Sequence, residues 1–136
     1  MKNNKIYPVQ KSDLEWQKIL NEESFRVLRE KGTESPFSGK YNDHCEIGTY
    51  NCKGCNTPLY SSKNKFDSNC GWPSYDASLP GALEYLQDHS HGMARTEILC
   101  ASCGGHQGHV FNDGPTQTGE RYCVNAAGIQ FNPDEK

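Results

Sequence analysis

The stretch Thr49-Tyr50-Asn51-Cys52-Lys53-Gly54-Cys55-Asn56-Thr57-Pro58-Leu59-Tyr60-Ser61 decides how this chain is read. Short runs suited to strands flank a Cys-x-x-Cys knuckle, so the segment is predicted as a hairpin whose turn carries two thiols. The same plan returns at Thr96-Glu97-Ile98-Leu99-Cys100-Ala101-Ser102-Cys103-Gly104, followed by Gly108-His109-Val110-Phe111. Gly54 and Gly104 supply the permissive backbone that such turns need. Cys52, Cys55, Cys100 and Cys103 together have the spacing of a closed tetrathiolate zinc site, structural in character because no open position is left. A metal there pins two hairpins that lie far apart in the chain. The competing readings are two independent redox pairs, or a catalytic zinc that recruits His106 or His109.

Upstream of the first knuckle the pattern turns helical. Ser12-Asp13-Leu14-Glu15 has the form of a capping box, and Trp16, Ile19 and Leu20 then share one helical face. A second short helix is predicted to start near Asn21, to bury Phe25 and Leu28, and to end at Gly32. Thr33 to Gly39 reads as irregular, and Leu79 to Asp88 as one short helix. A third hairpin is expected to join His109–Asn112 with Arg121–Gln130 through Asp113-Gly114-Pro115 and Thr118-Gly119. The expected fold is mainly β (α+β). One domain spans 1–136, with a helical part at about 8–40 and a β core at about 45–131.

The formal charge of −3 over 136 residues argues against nucleic acid or an anionic membrane surface as partner. No run approaches the roughly 20 apolar residues of a membrane span. Met1 to Pro8 carries charge with no apolar run behind it, so no secretory leader is expected. Seven cysteines, an odd number, point to metal binding in a reducing compartment, read here as the cytoplasm.

Two thiols outside the knuckles stand beside chemistry-bearing residues. In Arg121-Tyr122-Cys123-Val124-Asn125, alternation puts Arg121, Cys123 and Asn125 on one strand face. A nearby cation raises the thiolate fraction of a cysteine, which makes Cys123 the candidate nucleophile. The facing strand carries His109 and Phe111 on one face, with His106 just before them, and the imidazoles can donate or accept protons near neutral pH. The bland alternative for Cys123 is an inert buried thiol. Cys70 lies in the loop Asn69-Cys70-Gly71-Trp72-Pro73. There Trp72 either anchors the loop to the core or walls a slot for a small apolar group, with Cys70 placed to resolve an oxidised Cys123. Cys45 has no motif around it and reads as a spectator.

Several longer segments, in order, resemble the signature of the peptide-methionine (R)-S-oxide reductases, the B-type methionine sulfoxide reductases. They are Gly32-Thr33-Glu34-Ser35-Pro36-Phe37-Ser38-Gly39, Lys65-Phe66-Asp67-Ser68-Asn69-Cys70-Gly71-Trp72-Pro73-Ser74, Gly105-His106-Gln107-Gly108-His109-Val110-Phe111, Asp113-Gly114-Pro115 and Gly119-Glu120-Arg121-Tyr122-Cys123-Val124-Asn125. The resemblance implies two antiparallel sheets with short N-terminal helices (an Mss4-like, β-tent arrangement) and a zinc site remote from the chemistry. It implies that Cys123 is the catalytic thiol and Cys70 the resolving one. His106, His109 and Asn125 then assist, while Trp72, Phe111 and Arg121 bind substrate. It further implies a monomer recycled by thioredoxin. Ala126, Tyr75 and Asn69 depart from the residues common in that family.

Rival readings remain open at the level of sequence. The knuckles alone fit a zinc-ribbon module for nucleic acid or protein, a zinc hydrolase or deaminase with an open metal position, or a purely structural zinc-braced protein.

Overall fold

The capping box expected at the N-terminus sets the first helix. Ser12 accepts from the Glu15 N–H while Glu15 Oε1 accepts from the Ser12 N–H, which opens α1 (Asp13–Ile19). The structure, a computed structural model, describes residues 7–35, 41, 46–66, 71–89, 92 and 94–133. Trp16 and Leu20 are buried, but Ile19 is 55% exposed. The helix stops there and Leu20 turns extended, so the expected three-residue face is cut short. Asn21 caps α2 (Glu22–Glu30), which buries Leu28 and packs Phe25 against the core. Lys31, rather than Gly32, takes the left-handed cap conformation (φ 57°), and the Gly32 N–H closes back on the Arg26 carbonyl.

Among the described residues, nine strands form two antiparallel sheets. The smaller has the order β2 (Pro58–Ser61), β1 (Gly48–Cys52), β9 (Ile129–Pro133). The larger has the order β3 (Lys65–Phe66), β4 (Ser74–Tyr75), β8 (Arg121–Val124), β7 (His106–Phe111), β6 (Arg95–Cys100), β5 (Leu83–Asp88). Tyrosines fill much of the space between them. Tyr60 of β2 stacks on Tyr75 of β4 with centroids 4.6 Å apart, and Tyr50 of β1 meets Tyr75 edge-on at 5.3 Å. Both rings of that stack are fully buried, as are Leu59, Ile98 and Val124.

Both knuckles are hairpin turns, as expected, one between β1 and β2 and the other between β6 and β7. Gly104 takes the left-handed conformation in the second (φ 75°), but in the first that role falls to Asn56 (φ 66°). Gly54 answers a different need, since a Cβ there would stand 3.1 Å from the Trp16 ring.

Two sequence expectations are corrected. Leu83–Asp88 is a strand, not a helix: Leu83, Tyr85 and Leu86 suit either period, and six register pairs with β6 decide for the sheet. The expected strand Arg121–Gln130 is broken in two. It leaves the larger sheet after Val124, makes a 3-10 turn at Ala126–Gly128, and re-enters the smaller sheet as β9.

Candidate active site

Pairing β7 with β8 puts His109 directly opposite Cys123. On the other side of β8, Ser74 of β4 is its partner. Cys123 is thus held mid-sheet, partly buried, at a cleft of about 110 Å³. Thr33, Trp72, Arg95, Gly108, His109, Phe111, Cys123 and Asn125 line it. A larger groove of about 930 Å³ runs along α1 and α2, but its lining holds neither thiol nor imidazole.

The two histidines meet because β7 is bulged. Leu99 pairs with His106 and Ile98 with Gly108, so Gln107 is the extra residue. Three positions apart on a regular strand, the imidazoles would face opposite ways. With the bulge their ring centroids are 5.6 Å apart. Gln107 is buried, accepts from the Tyr60 hydroxyl and donates to the Gly128 carbonyl.

Each histidine is oriented by its own carboxylate. His109 Nε2 lies 2.7 Å from Asp88 Oδ2, and His106 Nδ1 lies 2.7 Å from Glu97 Oε2. A carboxylate accepting from one ring nitrogen fixes the tautomer and leaves the other nitrogen as acceptor. That assigns the lone pair to Nδ1 of His109 and to Nε2 of His106. The latter atom is buried without a hydrogen-bond partner among the described residues. His109 lines the cleft and His106 does not.

Lys31 reaches both carboxylates, 3.3 Å from Asp88 and 3.4 Å from Glu97, and Arg95 lies 3.4 Å from Asp88. Burial lowers the His109 pKa, and the charges of Arg95 and His106 push the same way against the Asp88 hydrogen bond. The ring is therefore neutral at neutral pH. Burial alone would raise Glu97, but the hydrogen bond and charge of His106, together with Lys31, outweigh it and hold that carboxyl below its usual range.

Asn125 sits just past the end of β8, buried. Its N–H and its Nδ2 both donate to the Gln107 carbonyl, at 2.9 and 3.2 Å. Its Oδ1 accepts from the Glu34 N–H at 2.9 Å. Trp72 donates its indole N–H to the Glu34 carbonyl at 3.0 Å. Trp72 and Phe111 give the cleft its aromatic walls.

The sequence and the geometry differ over which cation borders the thiol. Arg121 is not among the lining residues. Its guanidinium forms a fork on Asp113 at 2.9 and 3.1 Å and lies 4.6 Å over the Phe111 ring, so it backs the wall from behind. Arg95, which the sequence reading missed, lines the cleft instead. The Arg121 shift follows from a salt bridge eight residues away across the β7–β8 turn, which alternation alone does not reveal. Cys70 and Cys45 lie outside the described residues.

These motifs, in this order, have close counterparts. The SelR domain family matches residues 20–133. The chain is 56% identical over 126 residues to the peptide methionine sulfoxide reductase MsrB of Teredinibacter turnerae, covering 92% of this chain and 93% of that relative. It is 50% identical over 130 residues to the protein of the same name from Variovorax paradoxus, covering 91% and 96%. It is 52% identical over 126 residues to that of Agrobacterium fabrum, covering 92% and 93%.

The chain belongs to the MsrB family.

In this MsrB-family chain the four knuckle sulfurs converge. All four Sγ atoms lie within 4.8 Å of one another. Cys55 and Cys100 are 3.5 Å apart, and Cys52 and Cys103 3.7 Å. A tetrahedron with metal–sulfur bonds of about 2.3 Å has edges of roughly 3.8 Å, so the quartet fits a metal ion. Thiol contacts from Cys100 and its neighbours push Cys55 below the ordinary range, and contacts with Cys100 and Cys103 push Cys52 above it. Arg95 of the cleft and Cys100 of the quartet stand at opposite ends of β6, roughly 17 Å apart along the strand.

Proposed function

We propose that the chain reduces methionine-(R)-sulfoxide in proteins or peptides to methionine. The placement of Cys123 opposite His109, between the Trp72 and Phe111 walls, carries this reading. The names of the relatives support it.

The sulfoxide sulfur is electrophilic and its oxygen is a poor leaving group. Neutral His109 accepts the Cys123 proton at Nδ1 and the thiolate attacks the sulfur. The imidazolium, still held by Asp88, returns the proton to the sulfoxide oxygen. His106, 5.6 Å away between ring centroids, is a second station for that proton. One hydrogen of the Asn125 amide is taken by Gln107, and the other, with no partner among the described residues, donates to the oxygen. Trp72 holds the S-methyl group, and the shape of the slot selects the epimer.

The atoms balance: Cys123–SH and the sulfoxide become Cys123–SOH and the thioether. Cys70 then condenses with the sulfenic acid, forming a disulfide and water. Thioredoxin returns both thiols by exchange. Cys52, Cys55, Cys100 and Cys103 hold one zinc ion, which supplies a cross-link between the hairpins. The setting is a monomer in the cytoplasm, where thiols stay reduced.

Separate (R)- and (S)-sulfoxide epimers incubated with the protein and a dithiol, with methionine release followed over time, test the reading. Release from the (R) epimer alone is expected. Release from neither, or from the (S) epimer, overturns it.

A further inference from the structure

Glu34 has no part in the proton and thiol steps above, yet it touches both substrate-facing groups that flank Cys123. Its backbone N–H donates to Asn125 Oδ1 at 2.9 Å, and its carbonyl accepts the Trp72 indole N–H at 3.0 Å. Its carboxylate is buried, and each oxygen is taken. Oε2 accepts from the Ala126 N–H and Oε1 from the Ala127 N–H, both at 2.9 Å. These two amides belong to the turn that follows Asn125. A single residue from the segment after α2 therefore joins the turn, the amide and the indole.

We propose that Glu34 is a positioning residue that sets Asn125 and the Trp72 wall relative to each other across the cleft. The bidentate hold on Ala126 and Ala127 fixes the Glu34 backbone. The Glu34 backbone in turn fixes the amide flip of Asn125 and the tilt of Trp72. The bond to Oδ1 fixes which way the amide faces and so aims its second Nδ2 hydrogen at a ligand. Buried charge-assisted hydrogen bonds are stiff, and a carboxylate loses its grip when one oxygen is replaced by a donor. This assignment rests on the cleft being a sulfoxide site.

Glu34→Gln tests it, because the amide keeps the shape but presents an N–H to one of the two backbone N–H groups. Three readouts apply: steady-state kinetics on the (R) sulfoxides of methionine and of its S-ethyl homologue with dithiothreitol, the two indole N–H resonances, and the melting temperature. kcat is expected to fall roughly ten- to a hundredfold with KM changing less than about threefold. The preference for S-methyl over S-ethyl should shrink, and the Trp72 resonance should move while that of Trp16 stays. Glu34→Asp, which keeps two acceptor oxygens on a shorter arm, should recover part of each effect, and it serves as the test should the Gln variant fail to fold. A proportional loss on both sulfoxides with an unmoved Trp72 resonance means a merely structural residue and overturns the proposal. Wild-type protein inert toward both sulfoxides refutes the reductase reading instead. The positioning role is then decided by the Trp72 resonance, an unmoved signal overturning it.

Discussion

Gly108 and Cys123 approach so closely across β7 and β8 that a Cβ on the glycine would lie 2.0 Å from the cysteine carbonyl oxygen. No side chain fits, and the backbone at Gly108 (φ 153°) is one that L-residues rarely adopt. The thiol is thereby seated against the strand that brings His109. Gly108→Ala is expected to destabilise the fold by about 2–4 kcal/mol, read by urea denaturation. A loss below about 0.5 kcal/mol would show that the strands separate freely.

Cys123→Ser should release no methionine above background in a single turnover with excess enzyme. Cys70→Ser should still release one equivalent, then stall with thioredoxin as the reductant. Undiminished thioredoxin-driven turnover in the second variant removes Cys70 from the cycle.

The two arginines separate by position. Arg95 lines the cleft, while Arg121 braces Phe111 from behind. Arg95→Met is expected to lower kcat/KM by roughly ten- to a hundredfold, and Arg121→Met by less. The reverse order would restore Arg121 as the cation that faces substrate.

How far the sequence reaches is visible in this pair. Contacts within a few residues were legible: the Ser12–Glu15 cap and both knuckle hairpins. Long-range partners were not. Glu34 meets Asn125 and Ala126 across some ninety positions, and Asp88 meets His109 across 21. The bulge at Gln107, which turns His106 and His109 to the same side, leaves no periodic trace in so short a strand. Asp88 was further hidden because its segment read as a helix.

Acid should act through His109. Its folded pKa lies below the ordinary imidazole value near 6.5, so the unfolded chain binds the proton more readily. The stability tied to the neutral ring is complete above that value and is lost as pH falls through the folded pKa. Glu97, also lowered, adds a loss of the same sign at more acidic pH. Melting temperature should therefore decline from pH 7 to pH 5, and His109→Gln should flatten the decline. An equally steep slope in the variant would assign the acid loss to other groups.

Metal analysis of the purified protein should find about one zinc per chain, with none retained by Cys55→Ser. The variant should melt at least about 10 °C lower, since one bond network joins two otherwise separate hairpins. A metal-free variant melting with the wild type would leave the quartet without a bracing role.

Six residues of chain lead from Cys123 to Ile129, which sits opposite Cys52 in the smaller sheet. Over that distance the backbone leaves one sheet, turns on the Glu34 carboxylate, accepts the Lys53 N–H at its Gly128 carbonyl, and joins the hairpin of the first knuckle. The two sites are far apart along β6 but adjacent along this crossing. Disturbing the four sulfurs is therefore expected to slacken the very segment from which Cys123 is suspended, so that damage at the knuckles reaches the cleft through this short crossing.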